Sequence, residues 1–255
     1  MAEFVSNGLK IHFTDEGAGP PILLIHGFAS SLDGNWKLTG VIDALVKDGR
    51  RVIAIDNRGH GKSDKPLDPT VYGIDMMAAD SIALLDHLGI EQADVMGYSM
   101  GGYITTNLIT EHPKRFKTAI IGGAGERVIT AEFDEVSTQI ADALDSDSGA
   151  SDHPVAKMFR IFAQSTGGNL KALAAVMRSS RPRVDRAKLA DVRIPVFVIA
   201  GASDPLVGDP AKFAAAIPGA EVAVLPGDHI SVFGGHAYRD AVVAFLRKRS
   251  PVGVA

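Results

Sequence analysis

Two kinds of hydrophobic pattern divide the chain. Pro21 to Gly27, Arg51 to Ile55, Ala93 to Gly97, Thr118 to Gly122, Val196 to Ala200 and Glu221 to Leu225 carry their apolar residues close together. That is how a parallel strand covered on both faces reads. Between these runs the apolar positions recur at the helical interval. Leu38 to Val46 places Val41 and Leu45 on one face, and Ile74 to Leu88 groups Met77, Ile82, Leu85 and Leu88. Further helices are expected over Gly102 to Thr110, Pro210 to Ile217 and His236 to Arg249. Residues 1–14 alternate apolar and polar about Asn7-Gly8, a turn dipeptide whose two residues take positive φ, so an antiparallel hairpin is expected there. Strands alternating with helices predict an α/β domain with a mostly parallel sheet of eight strands, two from the hairpin and six from the apolar runs, and helices on both faces.

The alternation stops between about Ala124 and Lys188, where several short helical patterns follow one another without a strand. Phe133, Val136, Ile140 and Leu144 fall on one stripe, and Val155, Met158, Phe159 and Phe162 on a second that starts at Asp152-His153-Pro154. Leu170, Leu173 and Met177 make a third, and Arg181-Pro182-Arg183 reads as a loop. Residues 124–188 are therefore expected to be a helical cap inserted into a core made of residues 1–123 and 189–255. Most of its apolar residues should pack on the core, and a few should roof a substrate pocket.

Composition narrows the functions open to such a domain. With 255 residues and 46% apolar content the chain can bury most of its surface in one core. A net charge of −4 with 22% charged residues leaves no basic stripe for a phosphate backbone, so nucleic acid is not expected as a partner. The absence of cysteine excludes disulfides, thiolate nucleophiles and thiolate metal sites. No apolar run approaches the ~20 residues of a membrane span, and Met1-Ala2-Glu3-Phe4 opens no signal-like segment, so a soluble, cytoplasmic protein is expected. His12, His87, His112 and His153 are scattered singly, which gives no metal cluster. No glycine-rich dinucleotide loop follows an early strand either, so no cofactor is expected.

The chemistry concentrates at Gly97-Tyr98-Ser99-Met100-Gly101-Gly102, a G-x-S-x-G string between a strand pattern and a helix pattern. A serine held in so tight a turn is lifted clear of the sheet, and the first N–H groups of the next helix face whatever sits on its oxygen. A serine hydroxyl is a poor nucleophile near neutral pH, so Ser99 needs a general base and an acid to orient that base. His229, in Leu225-Pro226-Gly227-Asp228-His229 just past the last strand, is the expected base, whereas His236 starts a helix. Asp204 follows the Val196 to Ala200 strand at its carboxyl end, where ligands bind on open α/β sheets. Asp228 is the neighbour of His229, yet successive side chains of an extended loop point to opposite sides. It is expected to stabilise its own turn instead.

With these residues the chain resembles the α/β-hydrolase superfamily over about residues 10 to 123 and 190 to 249. His26-Gly27-Phe28 resembles the family's oxyanion loop, and Asp56-Asn57-Arg58-Gly59-His60-Gly61-Lys62-Ser63 its D-x-R-G-x-G-x-S turn, in which Asp56, Arg58 and Ser63 are expected to tie the loop. The resemblance implies an oxyanion hole from the backbone N–H groups of Phe28 and Met100, a structural His26, and the chain order Ser99, Asp204, His229 for the triad. Because the family's dehalogenases and epoxide hydrolases carry aspartate where this chain has Ser99, the resemblance points to its serine enzymes. The expected activity is hydrolysis of a small-molecule carboxylic ester through an acyl-enzyme. C–C bond or enol-lactone hydrolysis and perhydrolysis are the alternatives, and a ligand-binding receptor is a further one. A C–C or enol-lactone substrate would need a carboxylate anchor, for which Arg127, Arg160 and Arg178 are candidates. The pattern leaves the oligomeric state and the acyl preference open.

Overall fold

The computed structural model describes residues 2–130, 134–147, 151–179 and 184–253. Asn7 and Gly8 take φ of 48° and 80°, as the hairpin turn requires. They join β1 (Ala2–Ser6) to β2 (Leu9–Glu16) in antiparallel register. The six apolar runs form β3 (Pro21–Ile25), β4 (Arg51–Ile55), β5 (Ala93–Tyr98), β6 (Phe116–Gly122), β7 (Val196–Gly201) and β8 (Glu221–Leu225). All six are mutually parallel, β2 pairs antiparallel with β4, and the sheet runs β1-β2-β4-β3-β5-β6-β7-β8. The sheet is therefore eight-stranded and mostly parallel.

Helices cover both faces: α1 (Val41–Lys47), α2 (Ile74–His87) and α3 (Met100–Glu111), then α4 (Arg127–Thr130), α5 (Asp134–Asp145), α6 (Pro154–Ser165), α7 (Leu170–Arg178) and α8 (Arg186–Ala190) between β6 and β7, and finally α9 (Pro210–Ala214), α10 (Ser231–Gly234) and α11 (His236–Arg249). The two-residue period of a strand shows how a consecutive apolar run serves both layers. Leu23 and Ile25 of β3 join a core with Leu84 and Leu85 of α2 and Ile104 and Leu108 of α3. Ile22 and Leu24 join a second core with Val41 and Leu45 of α1 and Val242 and Leu246 of α11. All four β3 side chains are fully buried, so truncating any of them to alanine should cost about 2–5 kcal/mol.

Several element boundaries depart from the sequence pattern, β3 stopping at Ile25 and α3 starting at Met100 among them. Leu38 does not begin a helix: a π-helical turn spans Asp33–Lys37, Thr39 Oγ1 donates to the Asn35 carbonyl at 2.6 Å, and Gly40 adopts φ 72°. That left-handed residue restarts the chain as α1 at Val41 and leaves Leu38 85% exposed. α9 ends at Ala214 because Ala216 and Ile217 bond to carbonyls three residues back, which tightens the last turn. β6 starts two residues early at Phe116, which is buried while Lys117 points outward.

The helices between β6 and β7 pack on one another and on the first core. Ile140 and Leu144 of α5 and Leu173 and Met177 of α7 are buried, as their stripes predict, while Phe133 lies outside the described residues, as does the Arg181-Pro182-Arg183 loop. Met158 of α6 is exposed instead of packed. Arg178 bonds to Asp142 and Asp145, which ties α7 to α5. Arg160 donates to the carbonyls of Ala143, Leu144 and Ser146 at the carboxyl end of α5.

A buried polar knot closes the amino-terminal ends of β4, β5 and β6. Arg50 has no exposed surface, and its guanidinium donates to Asp48 at 3.0 Å, Asp94 at 3.0 Å and the Ser250 carbonyl at 2.8 Å. Asp94 also accepts from Thr118 and from Ser250 Oγ. Burial pushes the Asp94 carboxyl above its ordinary range against these bonds.

Candidate active site

The turn after β5 fixes the backbone around Ser99. Its φ and ψ are 54° and −115°, a conformation side chains rarely adopt. The flanking glycines leave no alternative, since a Cβ on Gly97 would overlap the Gly101 carbonyl and one on Gly101 would overlap the Ile25 carbonyl. The Ser99 carbonyl accepts from the N–H groups of Gly102 and Tyr103, which starts α3, and the Ser99 N–H is held by the Gly122 carbonyl. The side chain is thereby pushed out of the sheet at the head of the helix.

Two loops bring the other candidates to it. His229, following β8, places Nε2 2.9 Å from Ser99 Oγ, and its Nδ1 lies 2.6 Å from Asp204 Oδ2. Asp204 has no exposed side-chain surface and also accepts from the Leu206 N–H at 2.9 Å. With Nδ1–H given to the carboxylate, Nε2 is left as an acceptor toward the serine hydroxyl. Asp228 turns away: its Oδ1 accepts from the N–H groups of Ile230 and Ser231 and from Ser231 Oγ. His236 interacts with Arg239 on α11 and is not part of this chain of bonds.

The loop after β3 completes the surroundings. Among the described residues the N–H groups of Phe28 and Met100 have no protein acceptor. Gly27 packs against Ser99, a Cβ there standing 3.3 Å from the serine Cβ. Its N–H is held at 2.8 Å by Oδ1 of Asn35, a buried residue of the π-helical turn. Ala29 then takes φ 57°, and its carbonyl accepts from Thr166 Oγ1 just beyond α6. Below the loop His26 donates from Nδ1 to the Gly27 carbonyl at 2.7 Å and accepts at Nε2 from the Asn57 N–H at 3.0 Å. Burial lowers its pKa against the pull of Asp56, so this imidazole is neutral and already used at both nitrogens.

The Asp56 to Ser63 turn holds that loop from the side. Asp56 accepts from the N–H groups of Leu32 and Lys62 and from His12 Nδ1, while Ser63 Oγ donates to the Asp56 carbonyl. Burial opposes the Asp56 charge, and the hydrogen bonds from Leu32, Lys62 and His12 outweigh it, so its carboxyl is held below the usual range. Arg58 reaches out of the turn, with a bidentate bond to Asp80 of α2 at 2.6 and 2.7 Å.

Tyr98 carries a link that the sequence pattern did not single out. Its ring packs against the His229 imidazole at 5.4 Å, and its hydroxyl donates to the His229 carbonyl at 2.6 Å. Burial, with Tyr238 and Asp204 nearby, pushes this phenol well above its ordinary pKa, so it stays a donor. An aromatic residue beside the elbow serine is the one sequence signal that could have marked it. Asn35 had none, because its role depends on the π-helical turn that brings it to Gly27.

Ser99 sits where two cavities meet. One, of about 260 Å³, runs from Ser99 and Met100 along α3 past Tyr103 and Asn107. The other, of about 790 Å³ and less enclosed, opens beneath α6 against Ile230 and Phe233. Of the candidate carboxylate anchors, Arg127 lines the smaller cavity and donates to the Pro205 and Leu206 carbonyls, whereas Arg160 and Arg178 line neither cavity and are committed to α5. Among the described residues no three His, Asp or Glu side chains gather as a metal site, and no helix is long and apolar enough to cross a membrane.

Comparison with known proteins agrees with this architecture. A family model described as alpha/beta hydrolase fold matches residues 20–143. The 3-oxoadipate enol-lactonase 2 of Acinetobacter baylyi (strain ATCC 33305 / BD413 / ADP1) is 32% identical over 239 residues, 87% of this chain and 88% of that one. The 2-hydroxymuconate semialdehyde hydrolase of Pseudomonas sp. (strain CF600) is 38% identical over 124 residues, 48% of this chain but only 42% of its own length. Among solved structures, a hydrolase from Pseudomonas aeruginosa PA01 superposes with a TM-score of 0.77 at 28% identity, over 96% of this chain and 97% of that one. By its sheet order, its elbow and its near-full-length likeness to the enol-lactonase, the chain belongs to the α/β-hydrolase family.

Proposed function

We propose that this protein hydrolyses carboxylic esters with Ser99 as nucleophile, His229 as general base and acid, Asp204 as the carboxylate that orients His229, and the Phe28 and Met100 N–H groups as the oxyanion hole. Ser99 Oγ attacks the carbonyl carbon while its proton passes to His229 Nε2, and the charge that develops on the carbonyl oxygen meets the two N–H groups. The C–O bond to the alcohol then breaks, His229 returns the proton to the leaving oxygen, and the acyl group stays on Ser99. Water repeats the sequence: its oxygen bonds to the acyl carbon, its proton goes to His229, and Ser99 leaves with that proton. Two carboxylic-ester half-reactions thus need no group beyond these side chains and N–H donors.

The observation that carries the reading is the continuous relay from Ser99 Oγ through His229 to Asp204, at 2.9 and 2.6 Å, beside two N–H groups without an acceptor among the described residues. Enol-lactone hydrolysis is a second reading, favoured by the likeness to the enol-lactonase. An enol lactone is itself an ester, whose leaving oxygen stays tethered to the acyl part, so the same residues serve. Stoichiometric labelling of Ser99 by a fluorophosphonate, with loss of about 10⁴-fold or more in turnover in Ser99→Ala, is the expected result. Labelling elsewhere, or an active Ser99→Ala, overturns the mechanism. Cleavage confined to a dienoic ring-cleavage substrate, with simple esters and lactones untouched, replaces ester hydrolysis by C–C hydrolysis, and a single turnover without a second would mark a receptor.

A further inference from the structure

We infer that the two cavities divide the substrate at the scissile bond: the narrow one along α3 takes the acyl chain, the open one beneath α6 takes the leaving group, and Phe159 is the partition between them. The inference rests on the serine-ester reading above.

The assignment of sides follows from where the proton goes. His229 must hand its proton to the leaving oxygen, so the leaving group lies against the imidazole and the loop that carries it. The open cavity is walled by that loop on both flanks of the histidine, at Asp228, Ile230 and Phe233. The narrow cavity touches that loop at His229 alone and runs from Met100 along α3, its other walls coming from the segment after β6, from Leu206 and Val207, and from α6 and α7. The lining positions Met100, Tyr103, Asn107, Thr110 and Glu111 fall on one face of the helix, about 100° wide at ~100° per residue. The groove can therefore follow α3 in a line. Its far end is polar: Asn107, Thr110 and the exposed Glu111–Lys188 pair stand there, at 2.7 Å between the last two.

Size then sets the substrate class. From Ser99 to Asn107 the groove follows eight residues of helix, or ~12 Å. An extended acyl chain of about six to eight carbons with its carbonyl fills that distance. The open cavity, at 790 Å³, has the capacity for a large apolar alcohol, and the water of the second half-reaction can enter through it once that alcohol has left. Phe159 of α6 lines both cavities and packs edge-on to Phe28 at 5.8 Å, directly over the oxyanion loop. Removing its ring joins the two spaces.

The test holds one side of the ester constant at a time. With p-nitrophenol as the leaving group and acyl chains of two to twelve carbons, kcat/KM should peak at about six to eight carbons and fall at least about tenfold by twelve. With a hexanoyl group and leaving groups from phenol to naphthol size, matched in acidity, it should vary less than about threefold. Phe159→Ala should raise the ratio of dodecanoate to hexanoate turnover about tenfold, and Asn107→Phe, which fills the far half of the groove, should lower the ratio of octanoate to butyrate by a similar factor. The two variants act in opposite directions, so either one that folds tests the partition. An acyl profile that is flat to twelve carbons, or ratios that stay put in the variants while leaving-group size becomes limiting, overturns the assignment. Fluorophosphonate labelling of Ser99 in the same samples reads the serine mechanism separately. A labelled enzyme with the wrong length profile refutes only the divided pocket, whereas an unlabelled one that still turns over esters refutes the parent reading.

Discussion

Acid should weaken this fold through a histidine that never meets solvent. His60 is buried at 2% exposure behind the loop that follows β3, its ring 5.2 Å from His26 and 5.7 Å from Phe28. Burial lowers its pKa to about 3, only partly opposed by the Arg58 carbonyl and Asp56. In the unfolded chain the same imidazole titrates near 6.5. Between those two values the unfolded state binds a proton that the folded state refuses, so stability rises with pH. The contribution is whole above about pH 6.5 and is lost progressively as the pH falls toward 3, at about 1.4 kcal/mol per pH unit, or about 5 kcal/mol across the span. Set against a typical total of ~5–15 kcal/mol, that is a large share. His26, also lowered by burial, acts in the same direction. Urea unfolding of the wild type and of His60→Phe at pH 7, 6, 5 and 4 measures the slope directly. The phenyl ring keeps the packing and removes the proton, so the variant should start less stable, for want of the 3.0 Å contact to the Arg58 carbonyl, yet lose about one proton's worth less per pH unit. Equal slopes for the two proteins between pH 6 and 4 would refute the reasoning.

Three further outcomes test the candidate site. Asp204→Asn should keep the fold, read by circular dichroism, and lower kcat by about 10⁴-fold, because an amide donor in place of Oδ2 turns the imidazole to the wrong tautomer; Asp228→Asn should cost less than about threefold, and the reverse order would move the orienting carboxylate to the other loop. Tyr98→Phe should lose about 1 kcal/mol of unfolding free energy with its single neutral bond and lower kcat about tenfold at unchanged KM, because the His229 backbone is released while the ring remains; an unchanged kcat would show that the bond positions nothing. Asn35→Ala should slow Ser99 labelling by a fluorophosphonate by about tenfold, since the Gly27 N–H loses its buried acceptor beside the serine; labelling at the wild-type rate would refute that support.

Much of the architecture was legible because burial on both faces forces a strand to be largely apolar, as β3 to β7 are, the outward Lys117 and Asp94 and Thr118 of the Arg50 knot being among the exceptions. Elements whose limits depend on one backbone angle were not. Nothing in the string Lys37-Leu38-Thr39 distinguishes a helix start from the exposed turn that precedes Gly40, since the left-handed φ of that glycine decides it. Around Ser99 the sequence offered the residues that carry chemical groups, and the structure brings Ser99, His229 and Asp204 within hydrogen-bond reach of one another. It offered no sign of Asn35, whose amide acts on a backbone N–H that only the folded loop brings near. Arginines mislead for the opposite reason: a cation in a cap sequence looks like an anchor for substrate, yet Arg160 and Arg178 are held by α5, one by its carbonyls and one by its carboxylates.

The knot around Arg50 makes the sheet depend on a residue 200 positions away. A ribosome delivers Arg50 and Asp94 long before Ser250, and until that residue arrives the guanidinium lacks one acceptor and the carboxylate one donor. Burying either group half-satisfied is costly, so the growing chain has reason to keep the amino-terminal ends of β4, β5 and β6 open to water. A chain interrupted before residue 250 would leave the Arg50 guanidinium with Asp48 and Asp94 but without its carbonyl acceptor, and Asp94 without one of its donors, so completion of the knot waits on the residue that follows the last helix.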